Sequence, residues 1–300
     1  MSFGYRLLGF GGFPSRGDAP FNQNLIGKSA IMNGSDTYFT RTPSAGNRTR
    51  WTLAWWFQLN AISTNMTFFS ANDGTNEFYI RMDGNSDQSI KIIDDNASMN
   101  AQTIAYQRDI GWYHCIMSYD STIQNADFNR IQIYLNGERQ RLTYPSAAEP
   151  ALNGETFWND NRANEIGRRS RTTDGYANAY MAQIVFLNGD SIQNGDVKVE
   201  NFLDTQTFGT NGSQFIPKAT ADVAALATAA GGNSFCLDFD PADPTASNAL
   251  GLDVGNSNNF TATNIDENNQ SVHTPSKAYP TFNPLAQNST GVTLSDGNLK

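Results

Sequence analysis

The 300-residue sequence is poor in the groups that do most enzyme chemistry. It holds two cysteines, Cys115 and Cys236. A chain of this size needs no disulfide staple, and both lie in apolar strand-like runs, YHCIM and SFCLDF. Buried free thiols are expected. There are two histidines. His114 shares a strand face with Trp112 and Ile116 and reads as a core residue; His273, in a polar tail, reads as exposed. A zinc site or a Ser-His-Asp triad would need one of these two, and no motif supports either. Glutamate occurs only at 77, 138, 149, 155, 165, 200 and 267, with no Glu-x-Asp or Glu-x-x-x-Glu. The paired carboxylates of a retaining glycosidase therefore cannot come from one strand face in the usual pattern. No catalytic residues and no enzymatic activity are expected.

Charge is scarce too. Charged residues make up 16% of the chain, against about a quarter in ordinary globular proteins. The polar surface must be built from Asn, Gln, Ser and Thr. The net charge is −9, and the densest basic group is Arg168, Arg169 and Arg171. No basic stripe is present, so nucleic acid is not an expected partner. No apolar run approaches the roughly 20 residues of a spanning helix, so no membrane insertion is expected. The N-terminus lacks the basic and apolar regions of a signal peptide, which implies synthesis in a cytoplasm. No phosphate-cradling glycine motif occurs.

Hydrophobic residues are 39% and aromatics 12%, enough for a sizeable core. From about 25 to 190 they fall in short β-like runs separated by NDGTN, DGNSD, LNGE and LNGD. SAIMN, DTYFTRT, RWTLAWWFQL, MTFFS, NEFYIRMD, QSIKIID, GWYHCIMSYD, NRIQIYLNGE and NAYMAQIVFLNG are the clearest. This pattern predicts an all-β, two-sheet antiparallel sandwich. Both Asn-Gly pairs read as hairpin turns. In RWTLAWWFQL, Trp51, Leu53, Trp55, Phe57 and Leu59 share one face. Trp56 falls on the other, either as a sugar platform or as part of a strand buried on both sides. The neighbouring long strands are also apolar on both faces, which favours burial.

The ends differ from the middle. Residues 1–17 are glycine-rich yet carry Phe3, Tyr5, Leu7, Leu8, Phe10 and Phe13, the pattern of an extended arm that packs on a partner. The sandwich is assigned to 18–240. Within it GDVKVENFL (195–203) and KATADVAALATAAGG (218–232) read as short helices near its C-terminal part, and SFCLDFD as a last strand. Residues 241–300 are polar and read as an extended strap leading to a further module or subunit.

Four segments together resemble the concanavalin A-like, laminin-G-type jelly-roll modules found in structural proteins of tailed bacteriophages. They are RWTLAWWFQL, GWYHCIMSYDST followed by NRIQIYLNGE, EIGR, and GYANAYMAQIVFLNGDSI. Ala179 and Gln183 depart from the family pattern, which usually has Gly and Glu there. The LLGFGG opening and the strap are similar to phage examples. The resemblance implies a virion structural protein, a tail-fibre, tail-tip or head-fibre subunit, located on the virion and attached to other virion proteins through 1–17. It implies a homo-oligomer, a trimer if a fibre. A lectin-like module binding host surface glycan is the alternative, and a glycoside hydrolase is disfavoured by the sparse acids. The fold alone does not choose among these.

Trp158, with Asn159 and Asp160 in the polar stretch ETFWNDNR, is the candidate glycan contact. No metal or cofactor is expected. Calcium is the one ion whose oxygen ligands the loops supply, with Asp73, Asp120 and Asp127 as candidates; turn geometry explains the same residues.

Overall fold

A computed structural model describes residues 25–61, 65–84, 88–104, 111–124, 129–145, 149–207 and 213–277. The arm residues Phe3, Tyr5, Leu7, Leu8, Phe10 and Phe13, the calcium candidate Asp127 and residues 278–300 lie outside them. The first strands are β1 (Ser29–Asn33), β2 (Tyr38–Arg41), β3 (Arg50–Leu59), β4 (Met66–Asn72), β5 (Glu77–Met82), β6 (Ile90–Asp94) and β7 (Met99–Thr103). Then come β8 (Tyr113–Asp120), β9 (Ile131–Leu135), β10 (Glu138–Arg139), β11 (Leu142–Thr143), β12 (Asn164–Ile166) and β13 (Asn178–Asn188). The remainder are β14 (Leu203–Thr207), β15 (Ser213–Pro217), helix α1 (Thr220–Ala230), β16 (Phe235–Leu237), β17 (Thr261–Thr263) and β18 (Gln270–Ser271).

Two antiparallel sheets form the sandwich. The first runs β10-β9-β8-β3-β13-β1-β18, with β16 also on β13. The second runs β11-β7-β6-β5-β4-β12-β2-β17. The alternation of each strand sets its inner side chains between the sheets. Trp51, Leu53, Trp55, Phe57 and Leu59 of β3 meet Phe68, Phe78, Ile80, Met82 and Ile92 of the second sheet in one buried core. The expected inward face of the tryptophan strand is thus the observed one. Cys115 and Cys236 are buried free thiols, and burial pushes both thiols up from their ordinary pKa.

The two Asn-Gly pairs end differently. Asn136 and Gly137 take φ of 48° and 82°, and β9 turns straight into β10, as a two-residue hairpin requires. At Asn188–Gly189 no strand returns along β13, so this is not a hairpin. The Asn188 carboxamide instead accepts from Asn47 N at 2.8 Å, and Gly189 N donates to the Arg50 carbonyl. The loop is pinned to the start of β3.

The C-terminal part holds two further corrections. Of the helix expected at 195–203 there is one 3-10 turn, Val199–Asn201, because β14 takes over at Leu203. The helix expected at 218–232 is α1, stopped by Gly231 at φ 63°. The expectation of a strap over 241–300 fails for 241–277. β17 pairs with β2 and β18 with β1, so this segment closes one edge of each sheet. Leu250 and Phe260 enter the core at 1% and 2% exposure. Two large anchors and shared backbone hydrogen bonds hold a segment whose composition looks like a linker. His273, expected to be exposed, is buried. Trp112 Nε1 donates to its Nε2 at 3.1 Å, and the Gln58 side chain lies 2.6 Å from the same nitrogen.

Candidate functional site

The outer face of the first sheet is closed. Ala54, Ile116, Val185 and Leu187 point outward there, and α1 covers them with Val223, Ala224 and Ala227. Further along, Trp56 and Ala182 are covered by Ile26 and Leu203. Trp56 is 6% exposed, and its ring centroid is 4.7 Å from that of His114. It is part of a packed layer, not a sugar platform. Gln183 explains one family departure. It sits at the β13 bulge with φ 43°, and its amide donates to the Lys218 carbonyl at 2.9 Å and the Thr220 hydroxyl at 3.3 Å. A glutamate has no N–H to tie down the start of α1 in this way. Both buried histidines lie under this cover, and desolvation lowers His114 to a pKa of about 3 and His273 to about 4.

The outer face of the second sheet is built from different residues. Ile80, Met82, Ile90, Ile92 and Ala101 enter the core, so Tyr79, Arg81, Lys91, Ile93 and Gln102 face outward. Register aligns them in rows across the strands. Thr40, Glu165, Ser70, Tyr79 and Ile93 form one row. Thr67, Arg81, Lys91 and Gln102 form the next. No helix and no further strand packs on this face among the described residues.

The segment 168–175 crosses one side of it and lays arginines on tyrosines. The Arg168 guanidinium sits 3.5 Å from the Tyr38 ring centroid, and those of Arg169 and Arg81 lie 5.0 and 5.3 Å from that of Tyr79. Arg168 grips Glu165 with two nitrogens, and Arg169 grips Glu77 likewise. The grip on Glu77 raises the Arg169 pKa. Burial raises that of Tyr79, and the nearby Arg81 and Arg169 charges oppose it. The result is a layer of part-exposed guanidinium groups over the buried Tyr79, Glu77 and Glu165, and such groups can hydrogen-bond a polyhydroxylated or charged ligand.

The residues picked out in ETFWNDNR are not part of such a face. Trp158 is 1% exposed. Its ring meets those of Phe69, Phe78 and Phe186 at centroid distances of 5.8, 5.6 and 6.0 Å. It fills the end of the core and cannot stack on a sugar. Asn159 is buried in an asparagine cluster: its Nδ2 donates to Asn188 Oδ1 at 2.6 Å, and its Oδ1 accepts from Asn233 Nδ2 at 2.8 Å. Asp160 pairs with Arg162 at 2.7 Å. The cavity beside Trp158 and Asn159, about 10 Å³, fits one water molecule, far below a ligand pocket of some hundreds of Å³.

The described calcium candidates are occupied by turn-forming bonds. Asp73 accepts the amides of Thr75 and Asn76 at 2.8 and 2.7 Å, which lowers its pKa. Asp120 is buried and accepts from Thr122 N, the Thr122 hydroxyl and the Ser191 hydroxyl. Among the described residues no three His, Cys, Asp or Glu side chains gather to hold a metal.

Residues 33–193, more than half of the chain, match the family model Laminin_G_3, described as the concanavalin A-like lectin/glucanases superfamily. The chain belongs to this superfamily. Among solved structures it is similar to a candidate carbohydrate-binding protein from Bacteroides ovatus, with a TM-score of 0.51 and 14% identity. That likeness covers 82% of this chain and 60% of that one, so the chain spans well under two thirds of the other's length. It is also similar to domain 4 of AbnA, an extracellular arabinanase of Geobacillus stearothermophilus solved with arabinotriose. There the TM-score is 0.43 and the identity 14%, over 61% of this chain and 81% of that one. Both are likenesses of fold. No curated protein matches the chain.

The superfamily holds binders and hydrolases, so the carboxylates of this member decide what it can do. On the open face Glu77 and Glu165 are each buried and gripped by an arginine through two nitrogens, so neither carboxylate is free to meet a substrate. Asp94 has a pKa pushed up to about 7 by burial, against the pull of the Ala97 and Phe157 amides. It lies fully enclosed, out of a substrate's reach. The open face itself was not singled out from the sequence. Its signal was present in the polar alternation of NEFYIRMD and QSIKIID, but the strand register that aligns their side chains was not.

Proposed function

We propose that the chain is a carbohydrate-binding sandwich without catalytic activity, and that a glycan binds the outer face of its second sheet. The observation that carries this reading is the difference between the two outer faces. One is sealed by α1, Ile26 and Leu203. The other presents the part-exposed Tyr38, Arg81, Lys91, Arg168, Arg169 and Arg171, with Tyr79 buried beneath the arginines. Superfamily membership supports the reading, and the engagement of both Glu77 and Glu165 by arginines favours binding over hydrolysis.

The test is a glycan array probed with the full chain and with Tyr38→Ala and Arg169→Ala. Binding to at least one glycan, weakened in both variants while their thermal midpoints stay close to the parent, supports the reading. Binding to no glycan, or release of reducing sugar from one, overturns it.

The finer setting is a virion. In this reading the sandwich is the displayed part of a tailed-phage structural subunit, a tail or head fibre, held to the particle through Phe3, Tyr5, Leu7, Leu8, Phe10 and Phe13. Its support is the sequence resemblance of the opening segment and of the C-terminal stretch. Mass spectrometry of purified particles, with and without a deletion of 1–17, tests it. Retention that does not depend on the arm counts against it.

A further inference from the structure

Most cations of the open face are neutralised within the fold. Arg168 holds Glu165, and Arg169 and Arg171 both reach Glu77. Arg81 reaches Asp83 Oδ2 at 3.3 Å through one terminal nitrogen. Lys91 has no ion pair and no side-chain hydrogen bond among the described residues. Register nevertheless sets Lys91 directly opposite Arg81 on the β5–β6 pair. Like charges directly opposite each other destabilise an antiparallel pair.

A second observation falls on the same spot. Arg81 Nε is buried and has no hydrogen-bond partner. A buried donor left unpaired is costly, so such groups call for an explanation. A cation pair the fold relieves only in part and an N–H it does not satisfy thus sit side by side. Gln102 stands next in the row, opposite Lys91, while Tyr79 is buried beneath Arg81. One anionic group bridging Lys91 and the terminal nitrogens of Arg81 would relieve the like-charge contact, which the single Arg81–Asp83 contact relieves only in part.

We infer that Arg81 and Lys91, flanked by Gln102, form a subsite for the acidic group of a polysaccharide, its carboxylate or its sulfate. The inference rests on the glycan-binding reading and narrows its ligand class. The chain carries −9 overall, so it does not draw polyanions from a distance. Recognition is local, within the roughly 10 Å over which exposed charges act in ordinary salt.

Titration calorimetry of the full chain tests this with alginate, dextran sulfate and uncharged dextran and arabinan. The proteins are the parent, Lys91→Glu, and Lys28→Glu as a half-buried lysine outside the row. The parent is expected to bind alginate or dextran sulfate, and which of the two tells carboxylate from sulfate. Lys91→Glu weakens that binding by on the order of tenfold or more. Its thermal midpoint rises, because a glutamate there faces Arg81. Lys28→Glu does neither. Polyanion binding unchanged in Lys91→Glu, or a lower midpoint in that variant, overturns the inference. Binding of the uncharged polysaccharides alone also overturns it, and leaves the glycan-binding reading standing. Binding of none of the four overturns it as well, and only then is the glycan-binding reading in question too.

Discussion

On the first sheet the outward side chains include Ala54, Trp56, Ile116, Val185 and Leu187; on the second they include Tyr79, Arg81, Lys91 and Gln102. Both sheets bury the same kind of inner face. They part company only on the outside. The first must be covered, and the chain spends α1, the β14–β15 ribbon and the segment around Ile26 on covering it. The second meets water along Arg81, Lys91 and Gln102, while Ser70, Glu77 and Tyr79 are buried beside the 168–175 segment. A ligand surface can therefore exist on one side of this sandwich and not on the other. The packing of the covered side is a stability feature; the polar rows of the open side are free to serve recognition.

Acid should break the comparison most strongly. His114 and His273 are held neutral under the cover of the first sheet, while the open face carries no histidine. Unfolded histidine takes a proton near pH 6.5, but these two do so in the fold only near 3 and 4. As pH falls below 6.5 the unfolded chain binds protons at these two positions first, so stability is lost, by roughly 3 kcal/mol per histidine by pH 4. The buried Asp94, protonated in the fold below about 7, offsets part of that loss. Urea melts from pH 7 to pH 4 should show that loss, and His273→Gln should flatten part of it. A pH slope that His273→Gln leaves unchanged would mean that the cover is not dry.

Truncation compares the faces directly. Trp56→Ala should cost about 3–5 kcal/mol, as for other buried aromatics. Tyr38→Ala, at the half-buried aromatic of the open face, should cost only about 1–2 kcal/mol, mainly its contact with Arg168. Chemical denaturation of the two variants reads the difference, and equal losses would erase the distinction. The smallest effect is expected for Arg171→Ala. Its side chain is 39% exposed and 3.5 Å from Glu77, and stability should move by no more than about 0.5 kcal/mol.

The covered side was legible in the sequence and the open side was not. A tryptophan out of phase in RWTLAWWFQL, beside GWYHCIMSY and AYMAQIVFL, already says that a strand is buried on both faces, and hydrophobicity alone carries that message. The open site depends on which residue of β5 stands opposite which of β6, and register is fixed by turns and pairing that no single strand reveals. Trp158 misled for a related reason. Its polar neighbours bond to one another: Asn159, Asn188 and Asn233 knit three loops together over the core, so a polar stretch carries a buried ring. His273, Leu250 and Phe260 were missed likewise, because isolated anchors in a polar segment have no period to give them away.

The most direct test of the open-face claim is hydroxyl-radical footprinting of the full chain with and without a bound glycan. The account predicts protection confined to Tyr38, Lys91 and Ile93, with Leu252, Val254 and Val272 unchanged. Protection centred on those three, or on the loops around Trp158 with the second sheet untouched, would contradict it.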